Sequence, residues 1–259
     1  MYPYSETDQQ IHFWAQTIAR FNRTYVPQKS DDSHTNLAFD PVGKRLMGRW
    51  ASSPKGDRLM TLNLLTFSFE ILDRSLRVIR SFDIEGKIQA ELEEEIFAQL
   101  AELGFDPEGF AAPMHYGIPD YGFAKQAFSP PERSSLETWA EYRTLANEAA
   151  QALLTHLQVE GEIRIWPHHF DTGIYVEPTD QVGIGFGLAM EDSMAGEPYF
   201  YASAYGLNGH KVDYEELMPL CVGNWIREEN WKGAVLKLSE ASKATTVGFI
   251  REVVLRYLG

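Results

Sequence analysis

Cysteine, positive charge and long apolar runs are all scarce in this 259-residue chain. Cys221 is the only cysteine, so an intrachain disulfide and a thiolate zinc cluster are both excluded. Its context marks no nucleophile, and a lone cysteine of this kind reads as a small buried hydrophobe. No uncharged apolar window of about 20 residues is present, so no membrane-spanning helix is expected. The opening MYPYSETDQQ has no basic segment followed by an apolar run, so a secretory leader is not expected either and a cytoplasmic location is. Lys and Arg number 23 against 37 Asp and Glu, a net charge of −14. An acidic surface repels phosphate backbones and anionic lipid, which argues against nucleic acid and membrane as partners.

What remains is the composition of an ordinary globular protein, long enough for a sizeable core. Ile11, Trp14, Ile18, Phe21 and Tyr25 recur at three- and four-residue spacing and predict a first helix, with Ser5 or Thr7 as its cap. Alternating Leu37 and Phe39, a turn at Asp40–Gly43, and Lys44–Ala51 predict a hairpin. Leu65, Phe67, Phe69 and Ile71 alternate with polar residues and read as one further strand, followed by Leu76–Asp83. Ile88, Leu92, Ile96, Leu100 and Leu103 mark a second helix starting near Gly86 and stopped by Gly104. Its Glu91, Glu93, Glu94 and Glu95 read as a solvated side. The stretch Phe105–Pro131 is irregular but rich in aromatic residues, and so reads as a structured connector. His115 lies within it.

The pattern then recurs. Ser134 and Glu137 form a capping box ahead of Trp139, Ala146, Leu153 and Leu157. Strands are expected near Glu162–Trp166, Thr172–Glu177, Val182–Glu191, Pro198–Tyr205 and Lys232–Leu238, and Val247, Ile250, Val254 and Leu258 mark a closing helix. Short turns join the strands, so the class is α+β with antiparallel sheets. Residues 1–128 and 129–259 read as two similar helix–strands–helix halves of a single unit, an internal duplication of structure.

The most chemical stretch is Arg164–Glu177, RIWPHHFDTGIYVE. Read as a strand, it puts His169, Asp171, Gly173, Tyr175 and Glu177 on one face and Phe170, Thr172, Ile174 and Val176 on the other. The next strand has Gly183, Gly185 and Gly187 on one face and an apolar row on the other. Glycine at period two inside a strand marks the close approach of a ligand or of another backbone. Tyr199, Tyr201, Ser203 and Tyr205 then share a face and supply flat rings and hydroxyls. Trp225 and Trp231 are placed to lid such a pocket or to fill the core edge.

Three functions fit these residues. The first is binding of a small organic ligand in a cleft lined by His169, Asp171, Tyr175, Gly183, Gly185, Gly187, Tyr199, Tyr201, Trp225 and Trp231. Catalysis is compatible with this reading, with His169 as acid or base and Asp171 orienting it. The second is a non-catalytic module whose exposed aromatics meet a protein partner. The third is a metal-dependent hydrolase using the HHxD run. Strand alternation sends His168 and His169 to opposite faces, so no metal ligands are assigned. No cofactor is specified by any motif, and oligomeric state is left open.

The chain also resembles an uncharacterised bacterial family known only as a domain of unknown function. The resemblance rests on His12-Phe13-Trp14, Gly56-Asp57-Arg58, His169-Phe170-Asp171, Pro198-Tyr199-Phe200-Tyr201 and Trp231-Lys232-Gly233-Ala234, and covers nearly the whole chain. It implies one compact unit and no particular activity. It adds Trp14 and Arg58 to the residues of interest and implies that His168 is dispensable.

Overall fold

The computed structural model describes residues 3–259. The first half runs α1 (Pro3–Tyr25), β1 (Ala38–Asp40), β2 (Arg45–Ala51), β3 (Arg58–Asn63), β4 (Ser68–Leu72), β5 (Val78–Asp83) and α2 (Gln89–Leu100). The second runs α3 (Arg133–Leu157), β6 (Arg164–Ile165), β7 (Thr172–Val176), β8 (Val182–Ala189), β9 (Tyr199–Gly206), β10 (Asn224–Arg227), β11 (Lys232–Lys237) and α4 (Lys243–Leu258). The strands make a five-stranded sheet in sequential order and a six-stranded sheet ordered β10-β11-β9-β8-β7-β6. The fold is α+β, and each half is helix, strands, helix. None of the helices is long and apolar enough to cross a membrane, judged over the described residues.

Two compact units form. One holds residues 6–140 and 165–170. The other holds residues 3–5, 141–164 and 171–259. The chain therefore changes unit inside α1, inside α3, and on both sides of the 165–170 segment.

In the unit around the five-stranded sheet, Ile11, Trp14, Ile18 and Phe21 of α1 are fully buried, as their spacing requires. Trp14 packs edge-on against Phe69 and Phe128, which makes it a core residue. α1 comes very close to β2 at Gly48, where a Cβ would lie 2.6 Å from Asn22 Oδ1 and 2.7 Å from Ile18 Cγ2. Asn22 Oδ1 accepts the Arg49 N–H at 2.9 Å beside a bulge between Met47 and Trp50.

Several boundaries differ from the sequence reading. α1 already runs at Pro3, so Ser5 and Thr7 lie inside it and cap nothing. Ser134 likewise lies inside α3, which starts at Arg133. Residues 65–71 are not one strand. Leu64–Phe67 is a turn, with Phe67 at φ 48° and the Leu65 N–H held by Asn63 Oδ1 at 2.9 Å. Gly104 terminates its helix region as expected, at φ 87°. The glutamates of α2 are more than a solvated side: Glu91 accepts the Ile88 N–H, Glu93 pairs with Arg20, and Glu95 pairs with Lys87. β3 and β10 have no counterpart in the sequence reading.

In the other unit, α3 and α4 share one face of the six-stranded sheet. Arg143 of α3, fully buried, donates from Nη1 to Thr172 Oγ1 at 2.7 Å. Tyr257 of α4 donates to the Ala202 carbonyl at 2.7 Å. The register places Ile174, Phe186, Ala202, Ala234 and Trp225 in one row on this face.

Candidate functional site

The opposite face of the six-stranded sheet carries most of the residues singled out above. The register sets Gly173 opposite Gly187, Tyr175 opposite Gly185, Gly183 opposite Tyr205, Gly187 opposite Tyr201 and Ala189 opposite Tyr199. The glycines are not bare. A Cβ at Gly183 would overlap the Tyr175 hydroxyl and lie 2.8 Å from its Cζ. One at Gly187 would lie 2.8 Å from the Tyr201 hydroxyl, and one at Gly185 would lie 3.3 Å from Tyr205 Cε2. Tyrosines from β7 and β9 thus lie over the β8 backbone, two of them diagonally, and at Gly183 and Gly187 a side chain would collide with them. Trp231 does the same at Gly233, where a Cβ would meet its Cη2 at 2.6 Å and Ser203 Oγ at 2.7 Å.

Three of the tyrosine hydroxyls donate to carboxylates. Tyr201 donates to Asp171 Oδ2 at 2.5 Å, Tyr199 to Asp192 Oδ2 at 2.7 Å and Tyr175 to Glu177 Oε1 at 3.1 Å. Burial, then the adjacent Asp171, hold the Tyr201 phenol well above its ordinary pKa. Burial and Asp192 push Tyr199 up in the same way. The face is closed at this end, where Tyr199 is buried, and open at the other. Tyr175 and Tyr205 are 46% and 47% exposed, ring centroids 5.9 Å apart and edge to face. Ser203 Oγ is buried between them and Trp231's side with no partner among the described residues.

His169 is positioned differently from the strand reading. β6 ends at Ile165 and β7 begins at Thr172. Between them the Phe170 N–H donates to the Trp166 carbonyl at 2.7 Å, closing a turn, and Phe170 takes φ 60°. Left-handed backbone at an aromatic residue costs about 1–2 kcal/mol and needs packing to hold it. Phe170 is fully buried, stacked on His12 at 4.9 Å and on Trp139 at 6.3 Å. Pro167 is fixed as well, its carbonyl accepting from His12 Nε2 at 2.9 Å and from Gln16 Nε2 at 2.7 Å. Two-residue alternation does not extend through this turn. His168 and His169 are both exposed, rings 4.3 Å apart, and His168 also meets Tyr116 at 5.6 Å. No group of three or more His, Cys, Asp or Glu among the described residues is arranged to hold a metal ion.

The remaining residues of interest serve elsewhere. Trp225 sits on the helix face of the sheet, its Nε1 donating to the Met218 carbonyl at 2.8 Å and its ring against Tyr257, so it cannot lid the tyrosine face. Cys221 is exposed, not buried. His115 pairs with Asp32 at 2.9 Å. Arg58 donates to the Asp57 and Lys55 carbonyls and closes its own loop. Asp192 was missed because it lies in the β8–β9 connection, outside any alternating run. Comparison with protein-family models, curated proteins and solved structures finds no match.

Proposed function

We propose that this chain binds a small organic ligand on the tyrosine face of its six-stranded sheet. The observation that carries the reading is the side-by-side exposure of Tyr175 and Tyr205 over a strand kept free of side chains by Gly183 and Gly185. Flat rings stack on a ligand body at low entropic cost, because each has only two side-chain torsions to fix. Glu177 supplies a polar contact beside the rings. The reading keeps binding and drops acid–base catalysis, because the Asp171 carboxylate is taken by Tyr201 and His169 lies on an exposed turn.

A thermal-shift screen against a metabolite panel tests this, since a ligand bound only by the native state raises its apparent stability. Tyr175→Ala and Tyr205→Ala are expected to fold and to lose the response to any hit. Hits that persist in both variants refute the site. The exposed aromatic surface of Tyr175 and Tyr205 also suits a partner protein, and loss of self-association or partner capture in the same variants would select that second reading.

A further inference from the structure

The connector between α2 and α3 lacks regular structure apart from a 3-10 turn at Glu108–Ala111, yet it is tied to α1 along its length. Arg23 donates to the carbonyls of Gly109 at 2.8 Å and Ala112 at 2.9 Å. Tyr25 donates to the Asp106 carbonyl at 2.7 Å, and Tyr116 to Gln16 Oε1 at 3.0 Å. His12 Nδ1 lies 2.9 Å from the Tyr121 hydroxyl. Because His12 Nε2 must carry the proton that the Pro167 carbonyl accepts, neutral His12 accepts the Tyr121 proton at Nδ1. A long loop pinned at so many points is a built feature. Beneath it lies a cavity of about 290 Å³, near the lower end of small-molecule sites.

Phe13, Met114 and Ile118 give this cavity apolar walls, and Gln16, Tyr121 and Arg20 give it polar ones. Arg20 is the informative residue. Its side chain is only 14% exposed, and its guanidinium lies 5.6 Å from the Phe110 ring centroid. Among the described residues its one carboxylate partner is Glu93, at 2.9 Å from Nη1, and Nε is buried with no partner. A guanidinium has five N–H donors, so this one is short of acceptors in a place where water is restricted. Arg23 adds a second positive charge close by, felt as a lowering of its own pKa by burial and by Arg20. Asp120, exposed at the rim, disfavours a ligand of high negative charge.

We propose that this cavity is a second binding site, separate from the tyrosine face, and that it takes a small monocarboxylate. The carboxylate completes Arg20, whose planar fork suits it, and the apolar body lies against Phe13, Met114 and Ile118. Benzoate and benzamide are the probes, alike in shape and different in charge. Calorimetric titration of the full chain is expected to show benzoate binding at least about tenfold tighter than benzamide. Arg20→Met is expected to weaken benzoate by about tenfold or more. Met114→Trp, which fills the cavity and keeps the charge, is expected to abolish binding. Tyr175→Ala is expected to leave benzoate affinity unchanged, which separates this site from the other. Equal affinity for the two probes, full affinity in Arg20→Met, or no benzoate binding at about 10 mM overturns the proposal. Should Arg20→Met not fold, the probe ratio on the unaltered chain and Met114→Trp decide.

Discussion

Gly173 and Gly185 belong to the same face of the same sheet, and alanine at the two positions is expected to have opposite consequences. At Gly173 the new Cβ would overlap the Phe186 carbonyl oxygen and lie 2.9 Å from Gly187 Cα. Both are backbone atoms of the paired strand, so no side chain can swing away. β7 would have to separate from β8 and strain or lose ladder bonds around the Gly173–Gly187 pair. Overpacking costs about 1–3 kcal/mol and each lost hydrogen bond about 1 kcal/mol, so the expected loss is about 3 kcal/mol. At Gly185 the Cβ would meet only Tyr205 Cε2 at 3.3 Å, and that ring is half exposed and free to rotate. There the smaller conformational entropy of the unfolded chain returns about 0.4–1 kcal/mol, and the net change is close to zero or stabilising. Urea denaturation followed by circular dichroism reads the difference directly. In thermal melts a loss of about 3 kcal/mol lowers Tm by roughly 6–12 °C for a chain of this size. Equal midpoints for Gly173→Ala and Gly185→Ala would show that the β7–β8 approach does not depend on a glycine pair, and the account of this face would fall with it.

Three further outcomes are expected. Tyr201→Phe removes the hydroxyl donated to Asp171 and should cost about 1.5–3 kcal/mol in urea denaturation, the range for a bond to a charged group; a neutral change would mean that the pair contributes nothing. Arg143→Ala should destabilise by about 3 kcal/mol or more, and Arg143→Met by clearly less, because the apolar isostere refills the volume; equal losses would contradict a packing contribution from the buried stem. Tyr116, Tyr199, Tyr201 and Tyr257 all have their pKa raised above the ordinary 10.0, chiefly by burial. Raised phenol pKa values give stability that is complete below 10.0 and lost above it, as the unfolded chain ionises first. The stability read from urea denaturation should therefore fall steeply from about pH 10 upward, by up to about 1.4 kcal/mol per pH unit per tyrosine, with part of the tyrosinate absorbance appearing only as the chain unfolds; unchanged stability at about pH 11 would refute this.

The amphipathic helices were legible because a 3.6-residue stripe is a direct image of burial, as in Ile11, Trp14, Ile18 and Phe21 of α1. The glycine strand and the tyrosine row were legible as faces for the same reason at period two. What overlay what was not, because cross-strand register is set by tertiary pairing, and the diagonal fit of Tyr175 on Gly183 leaves no local trace. Two of the strand errors share a cause. Phe67 and Phe170 hold left-handed backbone at φ 48° and 60°, where an aromatic residue gives no turn signal of the kind Gly or Asn would give. Pro167 was the one available warning, since proline inside a run argues against a continuous strand. β3 and β10 show no period-two signal: β3 is buried on both faces, and the four residues Asn224–Arg227 of β10 are too short and mixed.

The 165–170 segment also bears on how the chain can be made and divided. It is the only stretch after Ala140 that belongs with residues 6–140, and it returns the Leu37–Ile165 bridge and the buried Phe170 to that unit. A ribosome must therefore deliver some two dozen residues of the other unit before the first can close. Neither unit can be cut out as a continuous fragment, and an expression boundary at residue 140 would leave His12 and Trp139 without the ring that fills the space between them.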